Sequence, residues 1–131
     1  MDIPTPVARR SMTQLALKAF FDLANQWKLS RAEAMTLLGL TATSTYANWK
    51  NGKTTTIPRD TLERISYLLN ISDSLTLLQG DGHNAVSWLK QPHSEPTFSE
   101  QSPFDLMLKG NVANIYMVHQ CVESLRTSQT C

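Results

Sequence analysis

The chain has 131 residues, 41% of them apolar and 18% charged, with a net charge of +1, a balance that fits a packed globular fold and excludes a large enzyme or a disordered chain. No apolar run approaches the roughly 18 residues needed to cross a bilayer, and no secretory signal pattern opens the chain, so a cytoplasmic protein without a membrane partner is expected. The mild charge conceals a split: residues 1–60 hold eight Lys/Arg against four Asp/Glu, and residues 61–131 hold four against seven. A basic front half suits a polyanion, and an acidic back half does not.

Residues 1–12, with Pro4, Pro6 and Arg9-Arg10, carry no sustained apolar period and read as a flexible arm. From Thr13, the residues Ala16, Phe20, Leu23, Ala24 and Trp27 recur at the spacing of one buried helix face. Ser30-Arg31-Ala32-Glu33 has the form of a capping box, in which a serine hydroxyl and a glutamate carboxylate each satisfy a free helix N–H. Ala34, Leu37 and Leu38 then face inward, and Gly39 stands where a left-handed residue closes the helix. A third helix carries Tyr46 and Trp49 and ends at Asn51-Gly52.

Pro58 suits the first turn of a fourth helix, whose apolar stripe is Leu62, Ile65, Leu68, Ile71, Leu75 and Leu78, up to the break at Gly80-Asp81-Gly82. A short helix with Ala85, Trp88 and Leu89 follows. The stretch Gln91 to Gln101, rich in Pro, Ser and Glu, is expected to be a mobile loop. Ser102-Pro103-Phe104-Asp105 resembles a helix start, and Val112, Ile115, Val118, Val122 and Leu125 define a last amphipathic helix after Gly110. Arg126 to Cys131 form a polar end, expected to fray.

With no strand pattern, the expected fold class is all-α: a helix-turn-helix bundle over residues 13–80 and a small helical domain over 81–131. Cys121 and Cys131 lack a C-x-x-C or histidine-pair context, so neither a zinc site nor a disulfide framework is expected. His83, His93 and His119 have no ligand constellation around them. No phosphate-cradling loop, nucleophile elbow or metal pair marks an enzyme, and no cofactor is implied.

Leu29 to Lys53 is the most informative segment. A DNA-reading unit needs a short supporting helix, a tight turn, and a second helix that is apolar inside and small, polar or basic outside. Leu40, Tyr46 and Trp49 supply the inner face. Thr43, Ser44, Asn48 and Asn51 point outward, with Lys50 and Lys53 at the end; Arg31 and Thr45 complete the candidate DNA contacts. Asparagine pairs with adenine edges, hydroxyls bond bases or phosphates, and cations neutralise phosphate. The competing reading is a plain α-hairpin with a solvated polar face.

The stretch L-S-R-A-E-A-M-T-L-L-G-L-T-A-T-S-T-Y-A-N-W-K-N-G resembles the helix-turn-helix of Xre-type repressors, with one residue more than usual between Gly39 and Trp49. The order E-R-I-S-Y-L-L-N-I, A-V-S-W-L, a proline, F-S-E-Q-S-P-F-D-L-M, then a glycine and a valine-rich helix is similar to the Xre/MbcA/ParS antitoxins. In that group a toxin-binding domain follows the helix-turn-helix, and Trp88, Leu89, Pro92, Phe98, Pro103, Leu106 and Gly110 match its pattern. Where the family often has Gly-Gly-Arg or Gly-Lys, this chain has Ser99-Glu100-Gln101.

The resemblance implies a non-catalytic antitoxin, acting on operator DNA and on a cognate toxin of the RES fold or a related ADP-ribosyltransferase-like, NAD-using type; a homodimer is expected because a single helix-turn-helix contacts few bases. The candidate toxin contacts are Trp88, Pro92, Phe98, Pro103, Phe104, Tyr116, Arg126 and Cys131, with the polar tail placed to enter the NAD pocket of the toxin. The alternatives are a plain helix-turn-helix transcription regulator and an adaptor that does not bind DNA.

Overall fold

The computed structural model describes residues 6–53, 56–129 and 131. These residues form seven α-helices and no strand, so the fold is all-α: α1 (Pro6–Gln26), α2 (Arg31–Leu38), α3 (Thr43–Lys50), α4 (Arg59–Gln79), α5 (Gly82–Lys90), α6 (Pro103–Met107) and α7 (Val112–Arg126). The chain divides into two compact units, Met1–Ser66 and Tyr67–Cys131, with the division falling inside α4.

In the first unit the apolar face of α1 buries Leu17, Phe20, Leu23, Ala24 and Trp27. From α2 come Ala34, Met35, Leu37 and Leu38, from α3 Tyr46 and Trp49, and from the region of α4 Ile57 and Ile65. Phe21 bridges the faces, its ring edge-on to both Phe20 (5.3 Å) and Tyr46 (5.7 Å), the geometry that aromatic quadrupoles favour. The arm expected over residues 1–12 is helical from Pro6 onward, and residues 1–5 lie outside the described residues. Proline at the first helical position forfeits no hydrogen bond and has φ already set for the helix, so Pro6 opens α1 rather than excluding it.

In the second unit the core is built from Leu68, Ile71 and Leu75 of α4, Ala85 and Leu89 of α5, Leu106 and Met107 of α6, and Ile115, Val118 and Val122 of α7. Ser74 donates to Glu123 Oε1 at 2.9 Å, a polar tie between α4 and α7.

Two further stretches are more ordered than their composition suggests. Gln91 to Gln101 is a knitted loop rather than a mobile one: His93 and Gln101 pair through the backbone, as do Glu100 and His93, at 3.3 and 3.0 Å. Phe98 is fully buried, and the His93 ring packs against those of Trp88 (4.6 Å) and Phe98 (5.7 Å) with its Nε2 2.9 Å from the Trp88 carbonyl. One deeply inserted aromatic outweighs the polar composition of its neighbours.

The other stretch follows α7. Past α7 the chain turns back through Ser128, in the left-handed region at φ 63°, and the Gln129 N–H reaches the Ser124 carbonyl at 2.8 Å. That turn brings Cys131 to Cys121, with their Cα atoms 4.6 Å apart, and the two form a disulfide that the spacing of the cysteines had not suggested.

Candidate nucleic-acid interface

The site rests on α2, whose start is fixed as its sequence requires. Ser30 Oγ accepts from the Glu33 N–H at 3.1 Å, and Glu33 Oε1 accepts from the Ser30 N–H at 2.8 Å. The reciprocal pair satisfies two of the N–H groups that a helix start leaves free. The other end closes at Gly39, φ +78°, where the N–H groups of Gly39 and Leu40 return to the carbonyls of Thr36 (3.1 Å) and Met35 (2.8 Å). A left-handed residue is needed at that point, and glycine adopts it at least steric cost.

Leu40, Thr41 and Ala42 then lead into α3. Its inner side buries Tyr46 and Trp49, which fixes how the helix rolls and therefore which residues face out. Thr43, Ser44, Asn48 and Lys50 are exposed, Thr45 is half-buried, and Asn51 and Lys53 are exposed just beyond the helix. Arg31, exposed on the first turn of α2, shares a surface concavity with Thr43, Tyr46, Ala47, Lys50 and Asn51. Two cations and several hydrogen-bonding groups thus converge on one hollow, the arrangement that receives a phosphate. Thr45, Asn48 and Lys53 lie outside it; Ser44 and Asn48, one turn apart, form a second exposed strip of α3.

The chain matches the model of the antitoxin Xre-like helix-turn-helix domain over residues 6–70, which takes in α1, α2, α3 and the first half of α4. It is also 34% identical, over 122 residues, to the uncharacterised protein y4oB of Sinorhizobium fredii (strain NBRC 101917 / NGR234), covering 93% of this chain and 92% of that one. This chain belongs to the Xre-like helix-turn-helix antitoxin family. The family is one of DNA-binding regulators rather than enzymes. Among the described residues no helix is long and apolar enough to cross a membrane.

In this antitoxin-family chain the residues matched to a toxin-binding pattern fall into two groups. Phe98, Pro103 and Phe104 are core residues, and Trp88 is half-buried against His93 and Phe98. Their placement builds the surface rather than forming it. Pro92 and Tyr116 are exposed, Arg126 is exposed and 3.5 Å from both Glu123 and Ser74, and Cys131 is half-buried in its disulfide.

Tyr116 and Cys131 line one hollow of about 250 Å³ together with Thr97, Met117, Gln120, Cys121 and Ser124. Tyr116 accepts a hydrogen bond from Gln120, and its ring joins those of Tyr67 (5.2 Å) and His119 (6.1 Å). Sequence reasoning missed Met117, Leu77 and Leu78, which expose 40%, 73% and 39% of their surface. Leu78 falls in the apolar stripe by spacing but is exposed; it stands next to the Gly80 break, where α4 ends.

Proposed function

We propose that this chain is the antitoxin of a toxin–antitoxin pair, which represses its own operon through α2 and α3 and silences a RES-type, NAD-using toxin through the half that follows. It acts in the cytoplasm as a homodimer, because one helix-turn-helix reads few bases and a dimer engages two half-sites. The observation that carries the DNA-binding part is the convergence of Arg31, Thr43, Lys50 and Asn51 on one exposed hollow beside the outward face of α3.

The toxin part is supported by the motif order from Trp88 to Gly110 and by the exposed apolar side of α7 at Tyr116 and Met117, a surface suited to a protein partner. Cys131, held beside Cys121, lines the same hollow as Tyr116 and Met117.

Two measurements on one preparation test the proposal. The chain is titrated onto a duplex carrying the region upstream of its coding sequence, and is co-expressed with the product of the adjacent reading frame while NAD consumption is followed. Retention of the duplex and suppression of NAD loss at equimolar ratio are the expected results. DNA binding with no neighbouring toxin to inhibit leaves a plain transcription regulator, and the absence of both overturns the proposal.

A further inference from the structure

Arg64 lies on α4, within the matched domain but outside the α2–α3 pair, and is only 8% exposed. Its Nε donates to Asp60 Oδ2 at 2.9 Å, one turn back, and its Nη1 reaches the Thr36 carbonyl at 3.5 Å. Thr36 belongs to the last turn of α2, and its carbonyl also accepts the Gly39 N–H. The guanidinium covers Gly39 so closely that a Cβ there would meet Cζ and Nε at 3.0 Å and Nη1 at 3.3 Å.

The positive charge therefore sits at the carbonyl end of α2, where the helix dipole favours it. Its ion pair with Asp60, a carboxylate that is 56% exposed, adds little net stability, so what the buried guanidinium contributes is to fix one arrangement among several.

An arrangement needs fixing at this point. α3 starts at Thr43, and its N-cap residue Ala42 makes no side-chain hydrogen bond, so no capping side chain holds the start of the outward-facing helix. Only Leu40, Thr41 and Ala42 separate it from Gly39. We infer that Arg64 is a positioning residue for α3: by capping α2 and closing over Gly39 it sets the turn, and the turn sets where Thr43, Ser44 and Asn48 stand. This rests on the reading of α3 as the helix that contacts DNA.

The test is Arg64→Met, which keeps much of the stem and removes the charge and the donors. Amide exchange at Gly39 and Leu40, whose N–H groups return to the end of α2, should quicken about tenfold, the loss of one charge-assisted bond, while amides of α7 keep the parent rate. Affinity for the upstream duplex should fall about tenfold with the slope of log affinity against log salt unchanged, because a buried Arg64 touches no phosphate. Arg64→Lys should not restore either readout, lacking the planar fork that serves Asp60 and Thr36 together.

Unchanged exchange in the turn overturns the inference, as does a reduced salt slope, which would make Arg64 a phosphate contact. Should Arg64→Met fail to fold, Asp60→Asn, altering the more exposed partner, must move the same turn amides in the same direction or the inference fails. If the parent chain does not hold the duplex, the DNA-binding reading falls, and the exchange measurement alone decides whether Arg64 holds the turn.

Discussion

The outward faces of α3 and α7 are built from opposite chemistries. α3 shows water hydroxyls, amides and an ammonium at Thr43, Ser44, Asn48 and Lys50, whereas α7 shows it Tyr116 and Met117, about two-fifths exposed each. Groups of the first kind stay solvated at no cost and exchange water for phosphate and base edges on contact. Groups of the second kind gain on being covered, by about 25 cal/mol for each Å² of apolar surface removed from water. One small chain thus carries one face suited to a polyanion and another suited to a protein, and substitutions should separate them.

The largest expected effect lies beneath the second face. Phe98 is fully buried among Trp88 and His93, so Phe98→Ala should destabilise the C-terminal unit by about 3–5 kcal/mol, the usual cost of deleting a core phenyl ring. Urea unfolding read at the indoles measures it. A loss below 1 kcal/mol, by the same scale, would mean that the loop is not anchored there.

A smaller effect belongs to the face itself. Tyr116→Ala together with Met117→Ala should weaken toxin binding by about 2 kcal/mol, the range of an aromatic anchor at an interface, and leave duplex affinity as it was. Calorimetry with the co-expressed toxin and with duplex, side by side, checks both halves. Equal losses for the two ligands would erase the distinction between the faces.

The smallest effect concerns the loop. Ser99 and Glu100 occupy the left-handed region at φ 50° and 69°, where glycine is the residue of least steric cost. Glu100→Gly should raise stability by about 0.5 kcal/mol, the relief of left-handed strain less the greater freedom glycine gives the unfolded chain. A lower melting temperature would contradict the backbone account of that position.

How much was legible followed from how local each cause is. Ser30, Glu33 and Gly39 act on neighbours within one or two turns, so both ends of α2 were readable from composition and spacing, and the structure places the capping bonds and the positive φ there. The inward pair Tyr46 and Trp49 likewise determined the outward strip of α3.

The rest depends on partners distant in sequence. Asp60 and Arg64 are a readable i,i+4 pair, but nothing in the chain order says that Arg64 lies over Gly39. Phe98 inside a polar stretch gave no periodic signal, and the return of Cys131 to Cys121 uses a left-handed Ser128 where a glycine would have announced the turn. Apolar residues at Phe98, Pro103 and Phe104 fit a core and an interface equally well as types, and only burial separates the two roles.

The central claim is that the exposed end of α3 meets DNA phosphate, and the salt dependence of binding tests it most directly. Each phosphate contact contributes about −0.9 to the slope of log affinity against log salt on duplex DNA. Lys50 and Lys53 are both exposed at that end, so Lys50→Ala with Lys53→Ala should lower affinity for any duplex and make the slope shallower by about 1.8. A double variant that binds duplex DNA with the affinity and slope of the parent would contradict the claim.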